Sequence, residues 1–282
     1  MKFSSLLLVL LYSLQLSASP LASASDSLLF KKADTTRFAL QQKQQWEKQK
    51  WSIKNRRILT GSATTLATAG LIAASYEWVD KPLHKFSQEY RTEQSTTNTI
   101  SKLVQPLGTT VPIHATAGAL LLAGMITKRP KLKDAAAVTL GSFYLNAGVT
   151  GILKNQFQRH RPSSTNNNEL FEGPSGDGTN SSMPSGHTST AFAAATSIAS
   201  VYHDSPWVPK VAYGVATLVG LSRINDNKHW ASDVLAGAAL GYLSGKITFW
   251  GYQRLKQGLS KKQFTVRPGW DKQPTLAASL RF

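Results

Sequence analysis

Three short stretches of this chain hold residues whose types and spacing could do chemistry on an anion: "LKNQFQRHRPSS", "SSMPSGHTST" and "LSRINDNKHWASDVLAG". Lys154 and Arg161 lie seven residues apart, two turns of a helix, so their side chains can project from one face. Pro162 is expected to end that helix. In the second stretch, Pro184-Ser185-Gly186-His187 opens an alanine-rich helical segment with Ser185 as its expected N-cap. Backbone N–H groups at such a helix start can cradle anionic oxygens, and Gly186 permits close approach. In the third, His229 precedes Asp233 by four residues. At that spacing a carboxylate can fix the tautomer of an imidazole and raise its basicity.

Each stretch alone has a plain structural explanation: a solvated pair of cations, a helix cap, an i,i+4 pair. Together they supply more. Lys154, Arg161 and Arg223 are cations that match a dianionic phosphoryl group and its more highly charged transition state. Two histidines, with a carboxylate beside only one, allow a division of labour. His229, oriented by Asp233, can attack; His187 can protonate the leaving oxygen. The nearby "GPSGDG" repeats the Pro-Ser-Gly turn but ends in Asp177, whose carboxylate would repel phosphate.

Composition points the same way. The 282 residues carry a formal net charge of +17 and no cysteine, which favours an anionic partner and removes disulfides, thiolate catalysis and cysteine zinc sites. His84, His114 and His203 lack acidic or histidine neighbours at ligand spacing, so no metal and no cofactor is expected. His160 reads as incidental between Arg159 and Arg161. Residues 1–24 hold one charge (Lys2), an apolar run and Ala22-Ser23-Ala24, the pattern of a cleaved signal peptide. Export argues against a nucleic-acid partner and directs the basic charge toward phosphates or anionic lipid.

The elements that must position these residues are helical. Residues 25–56 form a basic polar segment in which Trp46 and Trp51 are expected to pack on the domain. Weakly apolar segments follow near 58–77, 108–127, 134–153, 188–202, 210–221 and 233–250, without strand-like alternation. They predict an all-α bundle of about six core helices, closely packed through small residues, with the three stretches converging at one end. The polar insert 163–182 is expected to cover the site. Basic links such as "TKRPKLK" would prefer the cytoplasm if the helices crossed a bilayer. With a cleaved signal, either 58–77 does not span or none of the segments does. The tail 256–282 alternates weakly without a partner strand and is expected to dock on the domain.

The order K-x6-R-P, P-S-G-H and S-R-x5-H-x3-D resembles the three signatures of the type 2 phosphatidic acid phosphatase (PAP2) superfamily, which includes bacterial acid phosphatases and vanadium haloperoxidases. The matching residues are Lys154, Arg161-Pro162, Pro184 to His187, Ser222-Arg223, His229 and Asp233, with no departure at a signature position. The resemblance covers about residues 100–255 within a domain spanning 57–255. It implies metal-independent hydrolysis through a phosphohistidine on His229, with His187 as acid and Lys154, Arg161, Ser185, Gly186 and Arg223 binding the phosphoryl oxygens. The expected substrate is an extracytoplasmic lipid phosphate or pyrophosphate, and membrane association is expected with it. A broad-specificity periplasmic phosphatase acting on soluble esters, a haloperoxidase and a non-enzymatic basic surface protein are the alternatives.

Overall fold

The computed structural model describes residues 40–41, 43–48, 63–89, 91 and 96–261, and the backbone of 263–271 and 273–281. The expected signal peptide and Trp51 lie outside these residues. Met1–Thr64 forms a unit of its own, and Thr65–Phe282 a second. In the first unit, 43–48 is helical and Trp46 is exposed.

The second unit is a helical bundle. A helix through 65–74 loosens into a π-turn at Ser75–Val79 and resumes as α1, Asp80–Glu89. Pro82 explains the fault, because it lacks the N–H that would bond back to Trp78. Then come α2 (Thr96–Val104), a 3₁₀ turn (Gln105–Gly108), α3 (Thr110–Ile126), α4 (Pro130–Phe157), α5 (Gly186–Val201), α6 (Val208–Asn225) and α7 (Ala231–Lys261). The all-α core is as expected. The polar α2 was not, because "TTNTISKLV" carries no long apolar run. It is held by its buried face, where Ser101 Oγ donates to Asp226 Oδ1 at 2.6 Å.

The tail departs from expectation. Gln263–Asp271 and Gln273–Arg281, here β1 and β2, pair antiparallel as a hairpin, so the missing partner strand lies within the tail. Among the described residues, Pro130–Phe157 is long and apolar enough to cross a membrane, and the pair Thr96–Gly108 and Thr110–Ile126, bent by 64°, passes the same test together.

Close packing around α5 sets the geometry of the bundle. Gly237, Gly241 and Gly245 recur every four residues along one face of α7, against α5. A Cβ on them would lie 2.6 Å from Ser185 O, 2.2 Å from Ser189 O and 2.6 Å from Thr196 Cβ. On the α4 side the contact is a buried polar ladder. Asn146 Nδ2 donates to Ser189 Oγ at 3.1 Å, Thr150 Oγ1 lies 3.2 Å from the same hydroxyl, and Ser197 Oγ donates to Ser142 Oγ at 2.7 Å. These bonds specify register where apolar packing alone would allow sliding.

Gly241→Ala should therefore destabilise the fold by about 1–3 kcal/mol, the usual cost of overpacking. At Gly251, further along α7, a Cβ meets nothing within 4 Å. Gly251→Ala should stabilise by up to about 1 kcal/mol through helix propensity. Thermal unfolding of the two variants should move in opposite directions; equal shifts would contradict the close α5–α7 contact.

Candidate active site

The bundle brings the ends of α4 and α6 and the starts of α5 and α7 together. The charges of Arg223, His229, Arg161 and Lys154 all bear on His187, and the Ser185 N–H donates to Asp233 O at 3.0 Å. A Cβ on Gly186 would sit 3.7 Å from Lys154 Cε. All eight residues singled out from the sequence thus fall in one place.

Two local expectations change. First, α4 ends at Phe157, not at Pro162: Gln158 takes a left-handed conformation (φ 41°) and donates its N–H to Lys154 O. Lys154 and Arg161 therefore do not share a helix face. The turn itself carries Arg161 back, so that Lys154 Nζ donates to Ser181 O and Arg161 Nη2 to Ser181 Oγ at 3.3 Å. Second, Ser185 stands at the N-cap position of α5 but its hydroxyl does not cap the helix; Ser185 Oγ accepts from Thr188 Oγ1 at 2.9 Å.

His229 sits two residues before α7 and is 4% exposed. Its Nδ1 is 3.8 Å from Asp233 Oδ2, too far for a hydrogen bond, with the Ser182 hydroxyl between them. Ser182 Oγ donates to Asp233 Oδ2 at 2.6 Å and lies 3.4 Å from His229 Nδ1, where it can accept. In the tautomer protonated at Nδ1, this relay would leave the lone pair on Nε2. Asp233 Oδ2 also accepts from the Trp230 N–H, capping the start of α7. Burial would raise the Asp233 carboxyl, but the His229 imidazole, the Arg159 guanidinium and the Ser182 hydroxyl hold it below its ordinary value. Burial lowers His229, and Asp233 opposes that shift. Arg223 is clamped by Asp226, which Ser101 of α2 holds in turn.

Arg159 and Ser182 were missed by sequence reasoning. Arg159 is fully buried, donates to Asp233 Oδ1 at 2.6 Å, and was hidden among the charges of "QRHR". The insert 163–182 does not simply cover the site. It binds back on the α4 end through His160 N to Leu170 O and Ser182 N to Arg159 O, and contributes Ser181 and Ser182. His160 pairs with Glu172 at 2.9 Å and closes that loop. Asp177 is exposed and caps Thr179. His84, His114 and His203 have structural partners in Asn227, Tyr144 and Ser200 O.

Residues 135–257 match the model of the PAP2 superfamily. Over 120 residues the chain is 42% identical to a lipid A 1-phosphatase of Porphyromonas gingivalis; the match spans 42% of this chain and 23% of that protein. Among solved structures it resembles a transmembrane PAP2-type phosphatidylglycerolphosphate phosphatase from Bacillus subtilis. The TM-score is 0.50 at 23% identity, over 70% of this chain and 96% of the other. Aquifex aeolicus LpxE is also similar, with a TM-score of 0.44 at 20% identity, over 61% and 95% of the two chains.

His187 is pushed down to about 4 by burial and by the charges of Arg223, His229, Arg161 and Lys154. A bound tetrahedral dianion would offset those cations and raise the affinity of His187 for its proton. The sign follows: above about pH 4 the free site holds His187 neutral, so anion binding takes up a proton and weakens as pH rises. Tungstate binding at pH 6, measured calorimetrically in buffers of different ionisation enthalpy, should show net proton uptake that His187→Gln abolishes. Uptake unchanged in the variant would contradict this.

Proposed function

We propose that the chain is an extracytoplasmic phosphatase that hydrolyses a lipid phosphate or pyrophosphate through a phosphohistidine intermediate. The observation that carries this reading is the oriented His229, its Nδ1 held toward Ser182 and Asp233, in a cluster with His187 and three cations. Lys154, Arg161, Arg223, the Ser185 hydroxyl and the first N–H groups of α5 bind the phosphoryl oxygens. His229 Nε2 attacks phosphorus as the bond to the leaving oxygen breaks, and His187 gives that oxygen its proton. Water then attacks the phosphorus–nitrogen bond, loses a proton to His187, and inorganic phosphate leaves. The cations supply the charge stabilisation, so no metal is required.

Three features favour a lipid over a soluble ester. The chain is 42% identical over 120 residues to a lipid A 1-phosphatase. A groove of about 200 Å³ begins at Ala191, one helical turn beyond His187, and runs along α5 to Ile198 between α3 and α6. Its walls are almost wholly apolar, as an acyl or prenyl chain would need. The outer faces of α3, α4 and α7 carry exposed Leu122, Met125, Ile126, Ile152, Ile247 and Trp250, suited to association with a membrane. Lipid A phosphate, phosphatidylglycerophosphate, phosphatidate and undecaprenyl pyrophosphate are the candidate substrates.

His187→Ala should lower kcat on these lipid phosphates by about 10²–10⁴-fold, because their leaving alkoxide or phosphate needs a proton. The same variant should lose much less on p-nitrophenyl phosphate, whose leaving group is stable as an anion. Equal losses on both substrate types would void the assignment of His187 as the acid.

A further inference from the structure

Asp80 lies outside the matched region, at the point where the π-turn gives way to α1, and its side chain is fully buried. Its Oδ1 accepts from the Ser232 N–H at 2.8 Å, and its Oδ2 accepts from Ser232 Oγ at 2.6 Å and from Arg159 Nη2 at 2.8 Å. The other arm of the same guanidinium, Nη1, donates to Asp233 Oδ1 and to Ser232 Oγ. Arg159 Nε and Nη2 both donate to Asn168 O, at 3.0 and 2.8 Å. Tyr76, Phe171 and Trp230 surround the guanidinium with rings 5.2, 5.1 and 5.6 Å from its carbon. One buried cation is thus shared between two buried carboxylates, and one of those carboxylates faces His229.

We propose that Asp80, which lies beyond the matched residues, and Arg159, which lies within them, are positioning residues for the hydrolysis, fixing the orientation of the Asp233–His229 pair and its charge environment. This rests on the reading of His229 as the attacking group. Neither residue touches substrate. Arg159 holds Asp233 Oδ1, which turns Oδ2 toward Ser182 and His229. Asp80 neutralises the cation that Asp233 would otherwise have to balance alone, so the Asp80–Arg159–Asp233 cluster keeps one net negative charge beside the imidazole. The other groups facing His229 are Lys154, Arg161 and His187, and Ser182 lies against Nδ1.

The proposal gives opposite signs for two substitutions. Asp80→Asn removes a negative charge, so His229 should hold its proton less well and the acidic limb of the kcat profile should move down by about one pH unit. Arg159→Met removes the positive charge and leaves two carboxylates, so the limb should move up by a similar amount. KM should stay near its original value in both, while kcat falls about 10- to 100-fold, the usual cost of losing a group that orients a reacting one. The double variant Asp80→Asn with Arg159→Met restores the charge balance and should return the limb toward its starting position.

The experiment is a pH profile on the full chain, paired with NMR titration of ¹⁵N-labelled His229 in the resting protein. The NMR shift reads the charge cluster even if the phosphatase reading fails, so the two failures are distinguishable. Shifts of opposite sign, reversed in the double variant, support the proposal. If either single variant does not fold, the double variant decides: folding with a near-original His229 titration supports it. An unmoved titration in a folded single variant, shifts of the same sign, or a double variant that does not fold would overturn it.

Discussion

The buried guanidinium of Arg159 is the constraint on which the site depends. A cation with no solvent exposure must find its compensation inside the protein, and leaving such a pair half-made costs about 3–5 kcal/mol. Here the compensation comes from two carboxylates on different helices, a serine hydroxyl and a backbone carbonyl, inside a cage of three aromatic rings. Satisfying that one charge therefore ties the π-turn at the start of α1, the folded-back loop after α4 and the first turn of α7 into one unit. Asp233 cannot be oriented independently of this unit, and His229 cannot be oriented independently of Asp233.

A second constraint places the turn that opens α5. The start of α5 is pressed between Gly108, where a Cβ would lie 2.6 Å from His187 O, and Gly237, where a Cβ would lie 2.6 Å from Ser185 O. The serine, threonine and asparagine ladder toward α4 then sets the register of α5 along the bundle. Rigid helices with small residues at their contacts thus deliver Ser185, Gly186 and His187 to the same point as Lys154, Arg161 and Arg223. Burial first, and the cationic cluster second, account for the depressed basicity of His187 in the free site.

The residues that meet at the ends of α4 and α6 and the starts of α5 and α7 were legible in the sequence, because their types and spacing have few other uses. So was the helical core, from the length and spacing of the apolar segments. The residues behind the site were not. Arg159 reads as one more surface charge in "QRHR", and its partner Asp80 lies 79 residues earlier in the chain. Ser182 is one of several serines in a polar loop. The end of α4 was misplaced because a left-handed glutamine, not the proline four residues on, breaks the helix. The α2 helix escaped because its partner Asp226 is distant in sequence, and the terminal hairpin because each strand pairs only with its neighbour; at Ser185 a local bond from Thr188 takes the place of the expected cap.

The central claim is that His229 Nε2 becomes covalently phosphorylated, and trapping the intermediate tests it most directly. The protein would be mixed with a ³²P-labelled lipid phosphate, quenched in alkali within milliseconds, digested, and the labelled peptide sequenced by mass spectrometry. An alkali-stable, acid-labile phosphoryl group on His229, chased away by unlabelled substrate, is the predicted result. Label on His187 instead, or turnover with no covalent phosphate at any quench time, would contradict it.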